Sequence, residues 1–157
     1  MIEMPPSIYP TNSPTTSFEV DGMLGGLAKW LRILGYDAIY PIVIPSSGRI
    51  YITAKKNIST FPTVQVTVAK PEDQLLQVLN ELGITPDPAR FLSRCLVCNV
   101  QVRSIPKEQV EGKVPKQIFN TCSEFNECPT CGRIYWEGSH GERIRECLKE
   151  VGIFSPL

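Results

Sequence analysis

Four cysteines in two closely spaced pairs are the residues whose chemistry is easiest to infer from the sequence. Cys95 and Cys98 form one CxxC pair, and Cys128 and Cys131 form a second pair. Between the two pairs lie 29 residues. Each pair can direct two thiolates at one point, and two pairs complete the tetrahedral Cys₄ shell of a structural zinc site. A closed shell leaves no open coordination position, so the predicted zinc ion holds a fold together and does not catalyse a reaction.

Two other cysteines and the single histidine are weaker candidates for the same chemistry. Cys122 lies six residues before Cys128 and is an alternative ligand, although the CxxC spacing favours Cys128 and Cys131. We expect Cys147 to lie in a core. His140 suits a position near the start of a helix better than an acid–base role.

Carboxylates offer a second possible chemistry, which is metal-dependent phosphodiester hydrolysis. Asp21 lies at the carboxyl end of the first predicted strand, where α/β sheets place their sites. Helix capping is the alternative role for this residue. Asp37 follows the first predicted helix and is the second candidate. Mg²⁺ or Mn²⁺ requires several oxygen ligands, and residues 17–70 contain only three acids, which are few for a two-metal site.

Basic residues near aromatic ones are candidates for contact with RNA, because such groups combine phosphate binding with base stacking. For the tryptophan in this set, burial in a core is the alternative. The sixteen basic and sixteen acidic residues of the chain cancel, so net charge neither favours nor excludes a nucleic-acid partner. The predicted RNA-contacting residues are Lys29, Arg32, Lys55, Lys56, Arg94, Arg133 and Trp136.

The elements that must position these residues fall into three segments. Residues 1–16 are rich in proline and are predicted to be a disordered tail. Residues 17–86 alternate strand and helix patterns, which predicts a small α/β domain with a parallel sheet. Residues 89–157 are predicted to form a zinc-ribbon domain with a helix from about His140 to Val151. The predicted elements of the first domain are strands at 17–20, 36–40, 49–53 and 64–68 and helices at 23–34 and 71–82.

The cellular setting follows from the cysteines and the hydropathy pattern. CxxC pairs without an export signal are typical of metal binding in a reducing compartment, so we expect a cytoplasmic protein. No apolar run approaches the roughly 20 residues of a membrane-spanning helix. The oligomeric state is left open.

Several of these motifs together resemble those of the Mut-seven C-terminal RNase domain family. Residues 18–37, with Asp21-Gly22-Met23-Leu24 near the start and Gly35-Tyr36-Asp37 at the end, resemble the opening signature of that family. Residues 93–99 and 128–140 resemble its zinc ribbon. The resemblance implies a PIN-like α/β nuclease fold followed by a Cys₄ ribbon, and RNA cleavage through carboxylate-bound Mg²⁺ or Mn²⁺.

The middle of the chain departs from the family pattern. Residues 41–47 replace a helix that acidic residues usually open, and Lys55 stands where the pattern has an acid after the third strand. A lysine at that place repels a metal cation. We therefore predict an RNA-binding protein that has lost catalysis. One alternative is an active Mg²⁺- or Mn²⁺-dependent ribonuclease that uses Asp21, and another is a non-enzymatic component of a ribonucleoprotein or protein assembly.

Overall fold

The computed structural model describes residues 16–46, 48–56 and 62–153. Nearly all of the segment predicted to be a disordered tail lies outside the described residues. In the described part, four parallel strands form one sheet in the order β2-β1-β3-β4, which confirms the predicted α/β class. The strands are β1 (Ser17–Asp21), β2 (Asp37–Ile42), β3 (Ile50–Thr53) and β4 (Thr63–Gln65).

Two helices pack together and share the main core with one face of this sheet. They are α1 (Gly25–Ile33) and α2 (Pro71–Leu82). The leucine stripe that predicts α1 is buried, and Phe18 and Val20 of β1 lie in the same core. α2 begins with a proline and two acids, as helices favour, and ends at Gly83 with a φ of 64°. Local sequence signals therefore place both helices correctly.

Two adjacent glycines at the start of α1 are explained by side chains that approach closely. A Cβ atom at Gly25 would lie 2.8 Å from Tyr40 Oη, and one at Gly26 would lie 2.6 Å from Pro71 Cγ. The second of these contacts joins α1 to the first turn of α2. The absence of a side chain at Gly26 thus sets how closely the two helices pack.

We expect Gly26→Ala to destabilise the protein although alanine favours helix. The gain in helix propensity is about 1 kcal/mol, whereas overpacking against a rigid proline ring costs about 1–3 kcal/mol. The free energy of unfolding in urea should fall by up to about 2 kcal/mol. Lys29→Ala, at an exposed position of the same helix, is the control and should change it by less than about 0.5 kcal/mol. A Gly26→Ala protein more stable than the parent would contradict this packing.

The second half of the chain forms a small antiparallel sheet in the order β5-β6-β7. Ile105, Val110 and Phe125 are the buried residues of its core. A short helix, α3, lies between β5 and β6 and has no counterpart in the predicted elements. The elements are β5 (Arg103–Ile105), α3 (Lys116–Thr121), β6 (Phe125–Glu127), β7 (Ile134–Tyr135) and the C-terminal helix α4 (Ser139–Glu150).

The C-terminal helix crosses the division between the two predicted domains. Leu148 of α4 is fully buried in the core that contains Phe18, and Ile144 and Ile153 pack against that core. The strands of the two sheets lie on either side of residue 87, whereas α4 packs on the first core. Gly138 occupies the N-cap position of α4, and no side chain caps this helix.

A buried arginine and a half-buried asparagine join the ribbon to the first sheet. Arg32 of α1 donates from Nε and Nη2 to the carbonyl oxygen of Ala38 at 3.0 and 2.9 Å, and from Nη1 to that of Leu96 at 2.9 Å. The Asn99 side chain accepts a hydrogen bond from the Ala38 N–H at 2.9 Å. These bonds fix the first CxxC pair against α1 and β2.

None of the helices in the described ranges combines the length and the apolar character that crossing a membrane requires.

Candidate metal centre and nucleic-acid interface

The four predicted zinc ligands converge on one point. The Sγ atoms of Cys95, Cys98, Cys128 and Cys131 all lie within 4.8 Å of one another, and those of Cys95 and Cys131 are 3.8 Å apart. A tetrahedral ion with Zn–S bonds of about 2.3 Å requires sulfur–sulfur separations of about 3.8 Å. The ligand set and spacing therefore fit a structural zinc ion. Cys122 lies outside this cluster and faces the carbonyl oxygen of Glu137.

Tight turns at both CxxC pairs direct backbone N–H groups at the sulfurs. Asn99 and Gly132, which follow the two pairs, have φ values of 65° and 75°. The Cys98 N–H donates to Cys95 Sγ at 3.3 Å, and the Cys131 N–H donates to Cys128 Sγ at 3.5 Å. Each turn thus supplies an N–H group to a sulfur atom of the cluster.

The pKa values of the cluster thiols indicate that a cation would stabilise their ionised forms. Burial raises the pKa of Cys95, but hydrogen bonds from Tyr135 Oη and neighbouring N–H groups lower it by more. The pKa of Cys95 is therefore lowered to about 6. The pKa of Cys98 is raised to about 12, chiefly by its contact with Cys131. One thiolate therefore opposes ionisation of the next. A bound divalent ion removes this opposition, because all four ligands coordinate zinc as thiolates.

Asp21 is a buried carboxylate whose oxygens already have partners. It is 2% exposed, and Oδ1 accepts a hydrogen bond from the Met23 N–H at 2.9 Å. Oδ2 accepts hydrogen bonds from Tyr51 Oη and Thr53 Oγ1, both at 3.0 Å, and lies 3.3 Å from Lys55 Nζ. Burial raises its pKa, but these bonds together lower it below the ordinary 3.8. The carboxylate is thus ionised and neutralised by a lysine.

The two candidate catalytic carboxylates lie at opposite ends of the sheet. Asp37 begins β2 and pairs with Ser17, whereas Asp21 ends β1 and pairs with Ile42. Four residues of strand separate them, about 13 Å at 3.3 Å per residue. Asp37 also forms an ion pair with Arg49 at 2.9 Å. These two carboxylates do not share a metal site in this fold, because parallel strands place their two ends apart. Asp21 does not cap α1 either, since Leu24 is the N-cap.

Glu19 is a buried acid that the sequence reasoning did not place near Asp21. The two residues are two positions apart on β1, so they lie on the same face of the sheet. Glu19 is 3% exposed and accepts hydrogen bonds from the N–H and the hydroxyl group of Ser46. The alternation of strand residues is the signal that would have identified it. Within the described ranges, three or more His, Cys, Asp or Glu ligands come together only in the cysteine cluster.

A groove of about 620 Å³ lies between α1 and the ribbon. Its basic lining residues are Lys29 and Arg32 from α1 and Lys113 and Arg133 from the ribbon. No acidic residue is among those that line it in the described part of the chain. The groove is therefore positively charged although the whole chain is neutral. Its aromatic lining residues are Tyr40, Tyr135 and Trp136.

The predicted RNA-contacting residues separate into two groups. Lys29, Arg133 and Trp136 meet at the groove, which no sequence signal revealed because about 100 residues separate Lys29 from the other two. Trp136 also packs against the small core, as its alternative role requires, and its contact with RNA stays a prediction. Sequence reasoning did not select Lys113 and Tyr40, which also line this groove.

The other predicted RNA contacts have structural partners. Arg32 lines the groove but is 8% exposed, with its guanidinium group bound to carbonyl oxygens. Arg94 donates to the carbonyl oxygens of Gly35 and Asn99. Donors of both guanidinium groups therefore bind backbone oxygens, and contact of these two arginines with RNA stays a prediction. Lys55 pairs with Asp21, and Lys56 is exposed next to it in sequence. Neither lysine is among the described residues that line the groove.

A parallel α/β sheet joined through the buried Arg32 to a Cys₄ ribbon defines the class of this protein. The family model described as the Mut7-C RNAse domain matches residues 16–148. The chain therefore belongs to the Mut7-C RNAse domain family, which confirms the resemblance and supports a role related to RNA. Comparison with curated proteins and with solved structures gives no match.

Proposed function

We propose that this protein binds RNA and does not cleave it at the Asp21 site. The observation that carries the proposal is the position of Lys55 Nζ, 3.3 Å from Asp21 Oδ2. An ammonium group there occupies the place that a metal ion needs beside the carboxylate. The repulsion between the two cations amounts to a few kcal/mol at an effective dielectric near 20, and water reduces it because Lys55 is half exposed.

Family membership and the basic groove support the binding half of the proposal. An RNAse domain family implies surfaces that accept RNA, and the groove between α1 and the ribbon has cations without acids. In this proposal the ribbon zinc ion is structural. Cys95, Cys98, Cys128 and Cys131 hold it, and it fixes the turn that precedes Arg133 and Trp136. Six free cysteines suit a reducing compartment such as the cytoplasm.

The test is whether Mn²⁺ binds in a way that depends on Asp21. Because Lys55 neutralises this carboxylate, we expect titration of the zinc-loaded protein with Mn²⁺, followed by electron paramagnetic resonance, to give the same result for the parent and for Asp21→Asn. Asparagine can keep the hydrogen bond from the Met23 N–H, so it is the conservative control. Mn²⁺ binding that the parent shows and Asp21→Asn loses would instead support an active metal-dependent ribonuclease.

A further inference from the structure

We propose that the groove between α1 and the ribbon is a site for single-stranded RNA, in which Lys29, Lys113 and Arg133 contact phosphates and Trp136 and Tyr40 stack with bases. This inference rests on the proposed RNA-binding function and names its site and the form of its ligand. It is argued from charge, from the aromatic rings and from the size of the groove.

The charge of the groove is available to a ligand. Lys29, Lys113 and Arg133 are exposed side chains. Within the described residues the ion pairs use other cations, namely Arg49, Lys55, Arg103 and Arg145. Lys29, Lys113 and Arg133 therefore form no ion pair with a carboxylate of the described residues. A polyanion that follows the groove would contact α1 and the ribbon together, and phosphate contacts of this kind supply much of the affinity for nucleic acids.

The aromatic rings at the groove are held in place by the fold. Trp136 and Tyr40 are half-buried, and each packs against one of the two cores. Tyr40 Oη donates to the carbonyl oxygen of Gly22 at 3.1 Å, and the missing side chain at Gly25 gives the ring room. Rings fixed beside cations suit bases, which stack on aromatic side chains with little sequence preference.

The size and shape of the groove favour an unpaired strand. Its volume of about 620 Å³ lies within the range of about 300–1,000 Å³ that is typical of small-ligand sites. Duplex RNA is recognised across about 16 base pairs, mostly by shape, and its stacked bases do not offer their faces to aromatic side chains. An acidic peptide would match the charge but would leave the rings without stacking partners.

The experiment uses the two tryptophans of the chain. Trp30 packs against the main core, and Trp30→Phe leaves Trp136 as the sole tryptophan reporter. We expect a short single-stranded oligouridine to quench Trp136 fluorescence in this zinc-loaded variant. A duplex of the same length, inorganic polyphosphate and polyglutamate should leave it nearly unchanged. Trp136→Ala should weaken oligouridine binding about 5- to 150-fold, with folding checked by zinc content and circular dichroism.

A charge variant tests the phosphate contacts. Lys29→Ala with Arg133→Ala should reduce the slope of log affinity against log salt by about 1.4, since each lost contact to a single strand removes about 0.7. Arg143→Ala with Lys149→Ala removes the same charge from exposed positions of α4 and should leave the slope unchanged.

The outcomes separate this inference from the proposed function. If labelled RNA binds but Trp136 does not respond and the groove variants bind like the parent, the groove is not the site, while RNA binding without cleavage stands. Equal binding of duplex, polyphosphate or polyglutamate also overturns the inference. If no RNA binds, or if RNA is cut in a reaction that needs Asp21, the proposed function itself fails.

Discussion

Replacement of Cys98 by serine should abolish zinc binding and unfold the ribbon while the main core stays folded. Among the described residues, only Ile105, Val110 and Phe125 are buried in the core of the small antiparallel sheet, too few to hold it without a metal. A structural zinc site contributes about 10–16 kcal/mol of binding energy in isolated peptides, and that energy becomes folding energy. Leu148 of α4 belongs to the main core, so we expect the sheet with α1 and α2 to persist.

Metal analysis and two-dimensional NMR check this expectation. The parent should contain about one zinc ion per chain, because four ligands form one closed shell. In Cys98→Ser, amide signals of β5, β6 and β7 should collapse to unfolded positions. Cys147→Ser is the control, since it changes a thiol outside the cluster, and it should keep the zinc. A Cys98→Ser protein that is zinc-free and retains a native ribbon spectrum would show that the metal is not structural.

Replacement of Arg32 by methionine should cost about 3 kcal/mol of unfolding free energy or more. Methionine keeps much of the length but removes every donor, so the carbonyl oxygens of Ala38 and Leu96 lose their partner. Hydrogen bonds to a charged group each contribute about 1.5–3 kcal/mol, and a buried acceptor left alone adds its own cost. Urea unfolding monitored by circular dichroism gives the value.

Arg143→Met is the matched control for this substitution. Arg143 is exposed on α4, so its replacement should change the unfolding free energy by less than about 0.5 kcal/mol. Arg32→Lys keeps the charge but not the planar fork of donors, and it should recover only part of the loss. Equal stabilities of Arg32→Met and Arg143→Met would mean that Arg32 does not join the two halves.

Arg32 also bears on the charge of the metal centre. Burial lowers the pKa of its guanidinium group, and the nearby Cys95, Asp37 and Cys98 raise it. Four thiolates around one divalent ion carry a net negative charge, and the Nη1 atom of Arg32 binds the carbonyl oxygens of Leu96 and Val97 between the first two ligands. Arg32, which the sequence predicts as an RNA contact, is thus also a partner of the ribbon.

Elements with strong local signals were predictable from the sequence. The leucine stripe identified α1, and a proline followed by two acids identified the start of α2. The CxxC spacing identified the cysteine cluster. Each of these signals lies within a few residues, and the physical cause acts over the same range. The parallel class of the sheet followed from the alternation of strands and helices.

Features that depend on register and on distant contacts were not predictable in the same way. The separation of Asp21 from Asp37 follows from the parallel sheet, but no local pattern encodes the register that pairs Asp37 with Ser17. The return of α4 to the main core depends on where Leu148 packs. The apolar periodicity of α4 predicts a buried side but not the core against which that side packs. The groove joins Lys29 to Lys113 and Arg133 across about 100 residues of chain. Such sites arise from tertiary packing alone.

In the proposed function, Lys55 is the residue that separates the fold of the family from its chemistry. The sequence indicated a lysine where the family pattern has an acid, and the structure pairs that lysine with Asp21. Tyr51 and Thr53 of β3 complete the same network of hydrogen bonds. The family match over residues 16–148 thus establishes the fold, while the local contacts decide what Asp21 can do.

The most direct measurement is to incubate end-labelled single-stranded RNA with the zinc-loaded protein in Mn²⁺ or Mg²⁺. Mobility shift reports binding, and a denaturing gel reports RNA length. We expect the parent and Asp21→Asn, with folding confirmed by circular dichroism, to shift the RNA and to leave it at full length. RNA that the parent shortens and Asp21→Asn leaves intact would contradict the proposal that Lys55 has replaced the metal at this carboxylate.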